Sequence, residues 1–329
     1  MSFFPHICGI SPVNNAGIMK LMPSLTIWVL SCTLLWAQND YYTVVAEPGD
    51  GIFSLLRKQG LDPVKHYEEF IKLNAENLKK GSLLQVGVTY KVPQALDSFK
   101  RTGVLVQTEN GAEQPIFDQE LSKMSLKSDK LKDAVYYLII EGKTDEDNGF
   151  VEGITESLAA ELMVHGAKVY VLGNEISTVS KDSVSISETQ KMGKYVEVIN
   201  KRYLQNSGKY QRALVIRSSG FNGRGHMDVA VYHHNKSEKG QRFAENIQNV
   251  FKKNSVRNSS YKDINLIFED SNSLYLARNI LPAISLLTLE NASKEPDSKK
   301  IAVRSDKKRF ANLLTNGIMD DYADLDIEE

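Results

Sequence analysis

Between residues 135 and 318, short unbroken apolar runs alternate with stretches of helical period, and this alternation constrains the fold more than any other feature of the chain. VYYLII (135–140), KVYVL (168–172), ALVIR (213–217) and the run 284–289 are nearly continuous in apolar residues, as strands are when both faces of their sheet are covered. MDVAVYHH (227–234) reads as a further strand. Phe150, Val151, Ile154, Leu158 and Leu162 keep the spacing of a helix that His165-Gly166 closes. Ser185 with Glu188 predicts a capping box, after which Met192, Val196, Ile199 and Tyr203 share one helical face. A helix is expected over 238–252 with Phe243, Ile247 and Phe251 inward, and a last helix carries Phe310, Leu313, Leu314 and Ile318. The fold class is therefore α/β: a mostly parallel sheet with helices on both faces.

A small module of order βααβ precedes it over 42–93. Tyr42 to Val45 is a β-branched run, Pro48-Gly49 marks a turn, and Asp50 is placed to cap a helix starting near Ile52. Ile52, Leu55, Leu56 and Leu61 give that helix its apolar side. A second helix over 66–73 turns Phe70 and Leu73 inward, and a closing strand ends at Pro93. Residues 94–115 read as a polar linker with at most one short strand, 103–107. The main domain then spans 116–318. The stretch 319–329, with six acids between Asp320 and Glu329, reads as a solvated acidic tail, and KSEKGQR (236–242) as a solvated helix start.

Composition narrows the function classes. Forty Lys and Arg balance forty-one Asp and Glu, for a formal net charge of −1, which argues against nucleic acid as a partner. Two cysteines in 329 residues exclude a disulfide scaffold. Residues 19–37 combine Lys20, an apolar run from Leu21 to Trp36 and a small-residue site at Ala37. This pattern fits a leader or signal peptide over 1–37, with translation starting at Met1 or Met19. Cleavage would remove Cys8, Cys32, Trp28 and Trp36; a lipid anchor on Cys32 is the alternative. No transmembrane segment is expected after the leader, and the product is expected to be exported, to the periplasm or cell envelope. Walker, G-x-S-x-G and C-x-x-C motifs are missing from the sequence, and GFNGRGH (220–226) lacks the G-x-G-x-x-G spacing.

The small module resembles the LysM domain, through YTVVAEPGDGIFSLL, LNAEN (73–77) and VGVTYKVP (86–93). The resemblance implies a shallow groove for the N-acetylglucosamine chains of peptidoglycan or chitin. The family's contact loops fall on Gly49, Asp50, Gly51 and Ile52 and on Leu73, Asn74 and Ala75. Gly51 stands where the family usually has a hydroxyl residue.

The main domain resembles the zinc-dependent N-acetylmuramoyl-L-alanine amidases of bacterial cell walls (the amidase_3-like fold). The residues that carry this are VYYLII, ELMVHGAKVYVL, DVAVYHHNKSEKGQRFAENI, LYLARNILPA and LLTLENAS. Such enzymes hold zinc with two His and one Glu and use a second Glu as acid/base. Matching the motifs puts the first His near Gly142, the metal Glu near Gly149, the second His on Arg217 and the catalytic Glu on Thr288. None of these four can do the work of the residue it replaces, and the guanidinium repels a cation. Glu152, Glu290 and Asp147 are the nearest carboxylates that could substitute. His233 and His234 are adjacent on one strand and point to opposite faces; His66, His165 and His226 have ordinary structural roles open to them.

Three readings follow, one of which takes both resemblances as fold-level only, with an unrelated envelope ligand. In the first, the chain is a non-catalytic, peptidoglycan-binding envelope protein whose amidase-like domain has lost its zinc and needs no cofactor. Its partners would be glycan strands, with stem peptide or a true cell-wall hydrolase at the second domain. In the alternative, it is an active zinc-dependent amidase with displaced ligands, drawn from Glu152, Asp147, His226 and Glu290.

Overall fold

The computed structural model describes residues 40–325, apart from 79–82, 108–109, 118–119, 143, 174–186, 222–224, 258–260, 262–263, 294–296 and 298. The expected leader, with both cysteines and both tryptophans, lies outside the described residues, as does Ser185.

In the small module, β1 (Tyr41–Val45) and β2 (Thr89–Pro93) pair antiparallel, Tyr41 against Pro93 and Val45 against Thr89. Helices α1 (Ile52–Lys58) and α2 (Pro63–Leu73) lie between them in sequence. Ile52, Leu55, Leu56, Leu61, Phe70, Tyr90 and Val92 form its core. Leu73 is half-buried and stands outside this cluster, where Ile71 packs instead. The α2 helix starts three residues before the expected His66, because Asp62 accepts from Val64 N at 2.9 Å and Pro63 suits the first turn.

The eight-stranded sheet has the order β10-β8-β9-β7-β5-β6-β3-β4. Its centre is parallel: β5 (Ala134–Gly142), β6 (Lys168–Leu172), β7 (Tyr210–Ser218), β9 (Ala283–Asn291) and β3 (Gly103–Val106). Three antiparallel pairings finish the edges, through β4 (Glu113–Pro115), β8 (His226–His233) and β10 (Ile301–Arg304). The stretch 94–115 is thus a working part of the sheet, with the short α3 (Phe99–Thr102) leading into β3. Its polar residues misled because β4 is an exposed three-residue edge with no apolar face to reveal it.

Alternation along the strands loads the two faces. Tyr136, Leu138 and Ile140 join α4 (Asp145–Val164), α6 (Glu238–Lys253) and α8 (Lys307–Ala323) in one core. Val135, Tyr137 and Ile139 join α5 (Glu188–Gln205) and α7 (Ser271–Asn279) in the other. The capping box of α5 is Ser187 with Gln190, one of two overlapping S-x-x-E/Q patterns in SISETQ. The acidic tail reading is corrected by α8, which runs to Ala323 and buries Asp321 completely between Arg212 and Arg242. The same ion pair draws Arg242 out of the expected solvated run, and Gly240 is buried against the Ile284 carbonyl. No helix among the described residues is long and apolar enough to cross a membrane.

Candidate functional site

In an open parallel sheet, ligands meet the carboxyl ends of the strands. Register places Glu141 of β5 beside Arg217 of β7, and Arg217 beside Thr288 of β9. These three share the face covered by α5 and α7, because their neighbours Ile140, Ile216 and Leu287 point into the opposite core. Two of the expected site positions, Arg217 and Thr288, are therefore neighbours.

Arg217 spends its fork on carboxylates. Its Nε and Nη2 both lie 2.7 Å from Glu141 Oε2. Nη1 and Nη2 each reach Asp270 at 3.3 Å, and Nη2 also donates to Ser273 Oγ at 3.3 Å. Burial works against the charge, but Glu141 and Asp270 outweigh it and hold the guanidinium above its already high range. Asp270 caps α7 through Ser273 N; burial opposes its ionisation, and the bonds from Ser273 and Arg217 prevail and hold it below the usual carboxylate range. Beside them, Glu141 Oε1 and the hydroxyl of the buried Tyr195 have no hydrogen-bond partner among the described residues.

Gly142 ends β5 next to Ser218, and Gly149 is an exposed position of α4. Of the carboxylates that could substitute, Asp147 is buried and already accepts four bonds, from Ser218 Oγ (2.6 Å), Thr144 Oγ1 (3.0 Å), Gly220 N and Phe221 N (both 3.1 Å). Glu152 is exposed on α4, and Glu290 is paired with Lys300 at 2.6 Å. His233 is buried with Nε2 2.6 Å from Asn265 Oδ1, His165 meets Ser128 Oγ at 2.7 Å, and His66 meets Asp97 at 3.1 Å. His226 is exposed at the start of β8. Among the described residues no three His, Cys, Asp or Glu converge as a metal site. The residues at the strand ends do not fit the zinc that the amidase resemblance implies: a fixed cation with two carboxylates stands across the position that the resemblance gives to one ligand.

In the small module the expected contact residues divide. Asn74 is 1% exposed; its Nδ2 donates to the carbonyls of Phe70 (2.8 Å) and Lys91 (2.7 Å), and its Oδ1 accepts from Lys91 N (2.8 Å). Ile52 is buried in the module core. Asp50 does not cap α1: Gly51 is the N-cap, while Asp50 accepts from Glu47 N at 2.9 Å and pairs with Lys58 at 2.7 Å. Gly49, with φ of +90°, and Ala75 are exposed. A bridge between Gly51 and Leu83 ties the loop before α1 to the loop before β2.

The sequence left Glu141 and Asp270 unremarked. Glu141 follows directly on the apolar run of β5, and Asp270 begins the D-x-x-S pattern of an N-cap, so each carried a signal for its own element but none for the other.

No family model matches the chain, and no curated protein matches it. Among solved structures, it is similar to the CwlD amidase from Clostridioides difficile in complex with the GerS lipoprotein, at 13% identity and a TM-score of 0.38, over 58% of this chain and 98% of that one. It is similar to the N-acetylmuramoyl-L-alanine amidase from Clostridium difficile 630 at 16% identity and 0.35, over 59% and 98%. A metallo-carboxypeptidase from Burkholderia cenocepacia overlaps at 11% identity and 0.34, over 74% and 77%.

Proposed function

We propose that the chain is an exported cell-envelope protein that binds peptidoglycan glycan through residues 42–93 and carries an N-acetylmuramoyl-L-alanine amidase-like domain without a working zinc centre. The observation that carries this is the Arg217 cluster. A guanidinium engaged by Glu141 Oε2 and Asp270 at the strand ends neutralises charge there and repels a second cation. Asp147 and Glu290, the carboxylates nearest to rescue a metal site, are committed to other partners. In the small module the exposed backbone at Gly49 and Ala75 is what remains to meet sugar acetamido groups, since Asn74 and Ile52 face inward and the half-buried Gly51 donates its N–H to Ser54 Oγ at 2.8 Å. The second domain would then hold stem peptide or dock on a true cell-wall hydrolase.

Two measurements on the purified full chain test the reading. Co-sedimentation with insoluble peptidoglycan is expected, and elemental analysis is expected to find zinc far below one ion per chain. Stoichiometric zinc, or release of free stem peptides from purified sacculi, would restore the active amidase. Failure to sediment would remove the glycan-binding half of the proposal.

A further inference from the structure

A cavity of about 380 Å³ opens at the amino ends of the parallel strands, the end of the sheet away from Arg217. Ile280, Pro282 and Ile284 line it with apolar surface, and Leu281 beside them stands 51% exposed. Its walls are held from behind. Asn200 of α5 accepts from Leu281 N and donates to the Asn279 carbonyl, both at 2.8 Å, which fixes the corner between α7 and β9. Ser285 Oγ donates to the Gly240 carbonyl at 3.1 Å and ties the first turn of α6 to β9. The volume falls at the lower end of the ~300–1,000 Å³ of preformed small-ligand sites.

The remaining lining is cationic. Lys236 and Lys239 are exposed, and neither pairs with a carboxylate among the described residues. Glu238, between them in sequence, opposes one of the two charges. Burial first, then the charges of Arg278 and Lys236, hold the His234 imidazole below its usual range, so Arg278 lies near enough to restore the cationic excess. His234 Nδ1 accepts from Lys236 N at 3.3 Å; the neutral ring therefore carries its proton on Nε2 and brings a further donor to the cavity. One part of the lining thus answers a single negative charge, and the adjoining part a small apolar body.

We propose that this cavity binds the carboxyl terminus of a peptide whose last side chain is apolar, with the carboxylate meeting Lys236, Lys239 and His234 and the side chain lying against Ile280, Leu281 and Ile284. Capture of a terminal carboxylate is a recurring mode of peptide recognition. Charge complementarity selects an anion, and Glu238 limits the excess to what one carboxylate satisfies, which disfavours a polyanion. The mouth is open to solvent, so the preceding residues of a longer chain can leave it. This site stands whether or not residues 42–93 bind glycan.

Fluorescence polarisation on the full chain tests it, with the probe fluorescein-Gly-Ser-Gly-Ala-Leu bearing a free carboxylate. The free acid is expected to bind about tenfold more tightly than the same peptide with an amidated terminus. Lys236→Glu with Lys239→Glu, or Leu281→Asp, is expected to weaken binding of the free acid about tenfold, and Lys130→Glu with Lys132→Glu, exposed lysines outside the cavity, to leave it within about twofold. The comparison of acid with amide uses the unaltered chain, so misfolding of a variant cannot produce its result. Equal affinity for acid and amide, no binding of the acid, or insensitivity to the charge reversal at Lys236 and Lys239 would overturn the proposal. Displacement of the probe by N-acetyl-leucine as readily as by the unlabelled peptide would overturn the peptide in favour of a small apolar acid.

Discussion

Arg212 Nε, Arg242 Nε and the Tyr210 hydroxyl converge on the carboxylate of Asp321, which has no solvent exposure. Removing one member of a buried ion pair strands the others, at about 3–5 kcal/mol. Asp321→Ala is therefore expected to lower the unfolding free energy by about that amount in urea titrations, with Asp321→Asn costing less because it keeps the volume and one acceptor. Asn74 presents a neutral case. Its amide joins the end of α2 to Lys91 of β2 through three bonds, and Asn74→Ala strips the Lys91 N–H and carbonyl of that partner while the Phe70 carbonyl keeps the backbone N–H of residue 74, for a loss of about 1–3 kcal/mol by the same measurement. Both residues show where single-residue reading of the sequence ends. Asn74 looks like a loop contact from its place in LNAEN, but nothing local says that its hydrogen-bonding capacity points inward. Asp321 sits in an acidic run, and the cations that bury it lie 109 and 79 residues away. Arg217 is the same kind of case: the sequence places it at a strand end, yet its partners Glu141 and Asp270 are 76 and 53 residues distant.

At the scale of elements, the contact between α6 and α8 depends on one missing methyl group. A Cβ at Gly317 would lie 2.7 Å from Ile247 Cα and 3.1 Å from its nitrogen, so the two backbones meet directly. In an open helix Gly→Ala stabilises by roughly 0.5–1 kcal/mol. Here Gly317→Ala is expected to destabilise by about 1–3 kcal/mol, because backbone, unlike a side-chain tip, cannot swing aside. A raised melting temperature for that variant would contradict the packing described. The elements that the sequence revealed are those with a long periodic apolar signal: β5, α4, α6 and α8 each bury a full stripe or run. Those it hid are short or at an edge. β10 has four residues, β4 three, and α7 buries only Ser273 and Leu276 fully in nine. Short edge strands acquire their identity from the neighbour they pair with, which local composition does not encode. The two S-x-x-E/Q patterns before α5 make the same point, since spacing alone cannot choose between them.

For the whole molecule, the parallel centre and the two helical layers were legible because they follow from burial on both faces, whereas the antiparallel edges and the inclusion of β3 and β4 depend on long-range pairing. The assembled fold also sets a pH profile. Asp50, Asp97, Asp147 and Asp270 are all held below the usual carboxylate range: burial opposes their ionisation, and hydrogen bonds and nearby cations prevail. A depressed folded-state value contributes stability that is present above the unfolded value, about 3.9, and is lost as pH falls through the folded one. Among shifted carboxylates Glu156 goes the other way, raised by burial and by Glu152, and offsets part of this. His165 and His234 are lowered, by burial first and by nearby Lys127 and Arg278 next, so protonating the unfolded chain below about 6.5 also favours unfolding. On the alkaline side, burial raises Tyr42 to about 12 and pushes Tyr136, Tyr137, Tyr195 and Tyr210 up, while hydrogen bonds to Asp50, Asp97 and Glu290 raise Lys58, Lys65 and Lys300. Those contributions are complete below about pH 10 and fade above it. Urea midpoints measured from pH 2 to 11 should therefore form a plateau between about 7 and 10, with a shallow histidine limb below 6.5 and a steeper carboxylate limb below 4. Asp147→Asn isolates one part of this curve. It removes the charge that Ser218, Thr144, Gly220 and Phe221 stabilise, so it should lower the plateau and flatten the limb below pH 4 while leaving the histidine limb in place. A variant curve parallel to the parent below pH 4 would mean that Asp147 titrates alike in the folded and unfolded chains, against the four hydrogen bonds it accepts.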